Sequence, residues 1–338
     1  MEYRSLGRTG VSVSPLALGT MMFGPWGNDD RDASIRIIHR ALDAGINFMD
    51  TADVYSGGVS EEIVGQALQG RRDDVVLATK FFSPMSDDPN HQGSSRRWIM
   101  REVENSLRRL GTDYIDLYQV HRPNPHVDIE ETLGAMTDLV RQGKVRYIGS
   151  SSFAASEIVE AQWASRERNL ERFVTEQPPY SLLVRGIELD ILPTIQKYGM
   201  GSLSYSPLGG GWLSGSWSKD SAPTSPTRKR LAARFDMALP ANKRKLEIVD
   251  GLAQVAEDAG LTMIELAIGF VINHPGITSA IIGPRTIEQL ESQLPAAQVR
   301  LSDEVLDRID SLIAPGTTVN PADDSYGDNT LTPAARRR

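Results

Sequence analysis

Four side chains of different chemistry stand at matching places in successive apolar runs. Asp50 closes the run Ile46–Asp50, and Tyr55 follows five residues later. Lys80 closes the run that begins at Val75, and His121 follows Tyr118-Gln119-Val120. An acid, a phenol, an ammonium and an imidazole together suit delivery of a proton to a carbonyl oxygen. A free phenol ionises at about pH 10, a poor match to neutral pH. A neighbouring ammonium favours phenolate and is expected to lower that value. Asp50 would hold Lys80 in place, and His121 would hydrogen-bond the carbonyl oxygen and orient it. Such a set holds an acid and no reductant, so a nicotinamide cofactor would supply the hydride.

Each residue also has a plainer reading. Asp50 can merely cap Thr51-Ala52, and Tyr55 can be a packed loop aromatic. Lys80 is harder to dismiss, because an ammonium ending an apolar strand is costly to desolvate unless paired. His121 is one of five histidines and the one at such a strand end.

The four meet only if the runs are neighbouring strands of like direction. Short β-rich runs alternate with amphipathic runs along the chain. Strands are expected at Leu16–Gly19, Ile46–Asp50, Val75–Lys80, Tyr114–Val120, Val145–Gly149, Phe173–Glu176, Ser202–Tyr205 and Thr278–Ile282. Between them the 3.6-residue period predicts helices over Ala33–Ala44, from Ser60, and over Ser95–Leu110, Ile129–Arg141, Ala155–Glu167 and Leu189–Tyr198. Lys243–Ala259, Thr262–Asn273 and a helix from Thr286 complete the series. Gly45, Gly111, Gly143 and Gly199 stand where helix C-caps belong. Eight strand–helix units predict an α/β fold of the (β/α)8 TIM-barrel class, with catalytic groups at the C-terminal strand ends. A doubly wound open sheet also alternates, but the count reaches eight and no strand is followed by G-x-G-x-x-G.

Three pieces lie outside the repeat. Tyr3–Pro15 reads as an N-terminal β-hairpin turning at Thr9-Gly10 and placed to plug the barrel floor. A long loop, Pro207–Asn242, follows strand seven and carries Arg228, Lys229, Arg230 and Arg234; loops of this length are usually functional or disordered. Residues 315–338 form an irregular tail, docked or frayed, ending in three arginines. The whole, 1–338, is expected to be one barrel domain.

Composition narrows the function. The 338 residues carry 36 Lys+Arg against 44 Asp+Glu, a formal charge of −8, and no cysteine. That excludes a disulfide scaffold, a thiolate metal site, an iron–sulfur cluster and a cysteine nucleophile. The acidic balance argues against nucleic acid as the partner, though an anionic small ligand needs only a local cluster of donors. No apolar run approaches the roughly 18 residues that cross a bilayer, and Met1-Glu2-Tyr3-Arg4 lacks the order of a signal peptide. The expectation is a cytoplasmic protein without membrane contact. Gly211-Trp212-Leu213-Ser214-Gly215 is no nucleophile elbow, and Gly143-Lys144-Val145 is no P-loop. His121 and His126 flank two prolines in poor geometry for a metal, and no metal site is expected. A glycosidase would need opposed carboxylates such as Asp50 and Glu176, and Lys80 would neutralise the first.

The segments Gly45–Ser56, Ala78-Thr79-Lys80 and Asp113–His121 resemble the signature of the aldo-keto reductases, with the Asp/Tyr/Lys/His tetrad in order. The resemblance runs from Tyr3 to about Leu312. The hairpin and the loop after strand seven are similar to the bacterial branch related to potassium-channel β subunits.

This resemblance implies NADP(H) lying extended across the barrel mouth. Carried over by position, Gly19, Thr20, Met21 and Asp50 line the cofactor near its nicotinamide. Ser151, Ser152 and Gln177 hold the carboxamide, and Tyr205 stacks on the ring. Ser206, Pro207, Leu208, Gly209, Gly210 and Leu213 wrap the pyrophosphate. Gly283, Arg285, Gln289 and Gln293 bind the adenosine end, with Arg285 or Arg228 near the 2′-phosphate. The chain departs from the family pattern at Ser152 and Gln293, where Asn is usual, and at Ser216, where Lys is frequent. The last two put strict preference for NADP over NAD in question.

Phe23, Trp26, Tyr55, Phe82, His121 and Arg122 are placed to rim a substrate pocket. Arg122 either favours an anionic substrate or pairs with a nearby acid. The sequence thus predicts an NADPH-dependent oxidoreductase reducing an aldehyde or ketone, with Tyr55 as acid. The rival is a redox-sensing NADP(H)-binding regulatory protein with little turnover. Oligomeric state is not legible.

Overall fold

The computed structural model describes residues 1–217 and 231–326. Eight strands close into a barrel in the order β10-β3-β4-β5-β6-β7-β8-β9. They are β3 (Leu16–Gly19), β4 (Phe48–Asp50), β5 (Val76–Phe81), β6 (Ile115–Val120), β7 (Val145–Ser151), β8 (Thr175–Gln177), β9 (Gly201–Tyr205) and β10 (Ser279–Ile282). Every pair is parallel, including the closing pair β10 with β3. The open-sheet alternative is thereby excluded.

Period-two alternation sorts the strand residues into two layers. Ala17, Phe48, Ala78, Leu117, Leu203 and Ile281 point inward and form one apolar cluster. Leu16, Leu18, Met49, Leu77, Phe81 and Tyr118 point outward into the larger core beneath the helices. The hairpin β1 (Arg4–Ser5) and β2 (Ser12–Val13) delivers Leu6 and Val13, both fully buried, into the inner cluster. It closes the barrel floor, as expected, and leaves the C-terminal strand ends as the open mouth.

Local chemistry sets the helix ends. Asp30 accepts from the Ala33 amide at 2.9 Å to start the helix Arg31–Asp43, a standard N-cap. Ser95 caps Arg96–Leu110, which stops at Gly111 in the left-handed region, φ 61°. Thr262 and Glu265 form a reciprocal capping box before Met263–Asn273. Some bounds differ from the sequence expectation. Pro240 starts the helix expected at Lys243, since proline is pre-set for a first helical turn. The helix from Thr286 ends at Gln293, and a further helix, Asp303–Leu312, was not anticipated.

The chain beyond Ala314 is docked as far as it is described. The Thr317 carbonyl accepts from the Arg185 amide and the Leu183 carbonyl from the Val319 amide, both at 3.0 Å. Asp323 then sits between Arg234 (2.7 Å) and Lys245 (2.8 Å). Arg228 and the three terminal arginines lie outside the described residues. No described helix is long and apolar enough to cross a membrane.

Candidate active site at the barrel mouth

Asp50 and Lys80 are inward positions two residues beyond Phe48 and Ala78, so alternation lifts them to the top layer of the barrel interior. Lys80 Nζ donates to Asp50 Oδ1 at 2.5 Å, to the Thr51 carbonyl at 2.8 Å and to the Tyr55 hydroxyl at 3.3 Å. Tyr55 enters from a tight turn, Tyr55–Gly58, in which Ser56 and Gly57 have φ of 52° and 67°. The Ser56 hydroxyl donates to the Phe23 carbonyl at 3.1 Å and accepts from the Trp26 amide at 3.3 Å, tying that turn to the loop after β3. Close contact there requires Gly24, whose added Cβ would stand 3.0 Å from the Ser56 side chain. His121 faces Tyr55 edge-on, ring centroids 5.8 Å apart. The structure therefore brings all four sequence-selected groups together.

Their electrostatics differ in one respect from the sequence expectation. Burial raises the Tyr55 phenol above its ordinary range; Lys80 pulls it down, Asp50 pushes it up, and the net direction is upward. The expected lowering is not met, because dehydrating a phenolate inside the barrel outweighs one ammonium already paired to a carboxylate. Lys80 is raised: burial acts against its charge, but Asp50 and Tyr55 more than offset it. His121 is held well below the usual histidine range, first by burial and then by Lys80 and Arg122. It is a neutral imidazole, able to donate a hydrogen bond and carrying no excess proton at neutral pH.

The remaining expected residues are distributed around this centre. Ser151 donates to the Gln177 carbonyl at 3.0 Å, and the Gln177 amide donates to Asp50 Oδ2 at 2.9 Å. Ser152 and Ser206, at the ends of β7 and β9, both adopt left-handed backbone with φ 58°, a strained choice for a non-glycine residue. Tyr205 approaches Ser152 Oγ at 3.4 Å. Gly209, Gly210 and Gly211 all have positive φ and form the turn after β9. The amides of Gly209, Gly211 and Leu213 already donate within that turn, and the Leu213 side chain is fully buried. Thr20 is buried too, its amide donating to the Asp50 carbonyl at 2.9 Å. Met21 is exposed. Gly19 has a packing reason of its own, since a Cβ there would stand 2.6 Å from Ile281. Arg285 is exposed, its amide donating to Gln289 Oε1 at 2.8 Å. Gln293 is buried, and its Oε1 accepts from no partner.

At the rim, Trp26 is 45 % exposed and lies 6.3 Å from the Tyr55 ring, while Phe23 is wholly buried. Phe82 is half-buried against the core. The Arg122 guanidinium donates to Ser152 Oγ. Glu176 points outward, accepting from the Ser150 hydroxyl at 2.5 Å and the Phe153 amide at 3.0 Å. It does not oppose Asp50, so the glycosidase pair is not formed. Among the described residues no group of three His, Asp or Glu is arranged to hold a metal.

Two contributors were not selected from sequence. Gln119 donates to Asp50 Oδ2 at 3.3 Å; its inward register between Leu117 and His121 was the available signal. Ser325, from the chain end, lies 2.5 Å from the Tyr205 hydroxyl, and nothing local marks it.

The model of the Aldo/keto reductase family matches residues 15–314. An uncharacterized oxidoreductase of Bacillus subtilis, YrpG, is 41 % identical over 90 % of this chain and 94 % of its own. The aldo-keto reductase YhdN of Bacillus subtilis is 36 % identical over 99 % of both chains. A probable voltage-gated potassium channel subunit beta of Oryza sativa subsp. japonica is 34 % identical over 93 % of this chain and 97 % of its own.

Proposed function

The chain belongs to the aldo-keto reductase family, and on that premise we propose that it is an NADPH-dependent oxidoreductase reducing an aldehyde or ketone to an alcohol, with Tyr55 as the acid. The observation that carries this reading is Lys80, which bridges Asp50 and the Tyr55 hydroxyl beside a neutral His121. The residues at the mouth fit a dinucleotide. The glycine turn after β9 opens beside Tyr205, Arg285 is exposed, and the buried Gln293 Oε1 offers an acceptor that an adenine amine would satisfy. Bound there, the cofactor supplies the hydride.

The chain's own residues handle the oxygen. His121 donates to the carbonyl oxygen and fixes it within reach of Tyr55. As negative charge grows on that oxygen, the Tyr55 proton moves to it. Lys80 stabilises the phenolate left behind, and Asp50 keeps Lys80 aimed. The raised phenol keeps Tyr55 protonated before the reaction, which is the form reduction requires. NADPH and NADH compared side by side against a panel of aldehydes and ketones test the reading. Turnover with NADPH supports it, and no turnover with either nucleotide overturns it.

The potassium-channel relatives favour a second reading, a redox-sensing NADP(H)-binding protein. Very slow release of bound NADP, with negligible multiple-turnover activity, would favour the sensor.

A further inference from the structure

Arg122 follows His121 directly, and its side chain crosses to the end of β7, where Ser152 Oγ accepts from it. One hydroxyl uses one of the five donors of a guanidinium. Among the described residues Arg122 makes no ion pair, so the acid expected as its alternative partner is not there. The nearby carboxyls do not compete. Glu176 is pushed up to about 8 by burial, and its oxygens are taken by the Ser150 hydroxyl and the Phe153 amide. Asp324 turns its Oδ1 back to the Tyr326 amide at 3.1 Å.

A second group able to donate follows Ser325 in the chain. The Tyr326 hydroxyl is buried and has no hydrogen-bond partner. The polar chain Arg122–Ser152–Tyr205–Ser325 brings the C-terminal segment onto this side of the mouth. Burial raises the Tyr326 phenol most, Glu176, Tyr205 and Asp324 add to that, and Arg122 is near enough to act in the opposite direction. A half-buried guanidinium with most of its donors unused, beside a hydroxyl without a partner, is a site that an anionic group would complete.

We propose that the carbonyl compound reduced here carries a carboxylate, paired by Arg122 and capped by the Tyr326 hydroxyl. The proposal rests on the reading of the chain as a carbonyl reductase. A carboxylate accepts from a guanidinium through two parallel hydrogen bonds, and its single charge matches that of Arg122. Trp26, 6.3 Å from the Tyr55 ring, gives the intervening carbons an apolar wall.

The test compares 4-carboxybenzaldehyde with its uncharged methyl ester, methyl 4-formylbenzoate. The native chain is expected to prefer the acid in kcat/KM. Arg122→Gln is expected to reduce that preference by roughly 30-fold or more. Tyr326→Phe is expected to reduce it by roughly 5-fold, and Arg122→Lys to fall between native and Gln. A binding arm needs no turnover: calorimetry of 4-(hydroxymethyl)benzoate against benzyl alcohol, with and without NADP⁺. Tighter binding of the acid that is lost in Arg122→Gln supports the proposal. Equal handling of acid and ester, or a preference that survives Arg122→Gln, overturns it. If neither aldehyde is reduced, the functional reading fails while the binding arm still decides this one.

Discussion

Lys80 Nζ stands 2.5 Å from Asp50 Oδ1, with the two side chains 0 % and 4 % exposed. A pair this dry is held by each member's need for the other. Removing one partner strands a buried charge and costs about 3–5 kcal/mol, whereas replacing both with apolar groups is often near neutral. Asp50→Leu alone is therefore expected to lower stability by that amount. The double variant Asp50→Leu/Lys80→Met should regain at least half of it, and neither should turn over. Urea unfolding of the native chain, the two singles Asp50→Leu and Lys80→Met, and the double measures the cycle, and a double variant as unstable as the sum of the singles would refute it.

Tyr55→Phe removes one hydroxyl that accepts from Lys80 at 3.3 Å. Its stability should stay within about 1 kcal/mol of native. Its turnover should fall roughly 10²- to 10⁴-fold, the range of a positioned proton donor. Cofactor affinity should hold. Loss of affinity with retained reduction would remove Tyr55 from the acid role.

Much of this site was legible because barrel geometry converts strand register into position. Phe48 and Asp50, Ala78 and Lys80, Leu117 and His121 share parity, so an apolar inward residue marks the polar one above it. The same parity carries Gln119, a buried amide that was passed over because amides rarely announce chemistry. What was not legible is set by long-range contact. Asp323 meets Lys245 and Arg234 across 78 and 89 residues, and that clasp is what lays Ser325 and Tyr326 on the mouth. The direction of the Tyr55 shift was also hidden, since burial and the Lys80 charge act oppositely and only the fold decides which prevails.

Behind the site, Arg109 is shared by Glu61 and Glu102 at 2.6 Å each, both glutamates fully buried. Glu61 also accepts from Thr79 at 2.5 Å, and Asp53 nearby is raised well above the carboxylate range by burial and these two acids. Arg109 is the one cation among three carboxyls, so Arg109→Met should cost about 3–5 kcal/mol at neutral pH. The loss should shrink on acidification, as the stranded glutamates take up protons. Thr79 faces away from the mouth, so the folded variant should keep more turnover than Asp50→Leu. A pH-independent or negligible loss would refute the triad's role.

Glu176 gives the fold a pH dependence of its own. Burial raises its carboxyl to about 8 from 4.5. Between those values the folded chain keeps a proton that the unfolded chain has released. Stability from this group is therefore complete below about pH 4.5 and is lost as pH rises through about 8. Glu176→Gln should remove that slope without breaking the contacts. The amide oxygen can accept from Phe153, and the amide nitrogen can donate to Ser150, whose hydroxyl also reaches the Thr175 carbonyl at 3.4 Å. The variant should thus match or exceed the native chain at about pH 9 and gain little at about pH 5. Urea midpoints across that range are the measurement. Parallel curves for the two chains would show that Glu176 is ionised in the folded state and that its burial has been offset by the Ser150 and Phe153 donors.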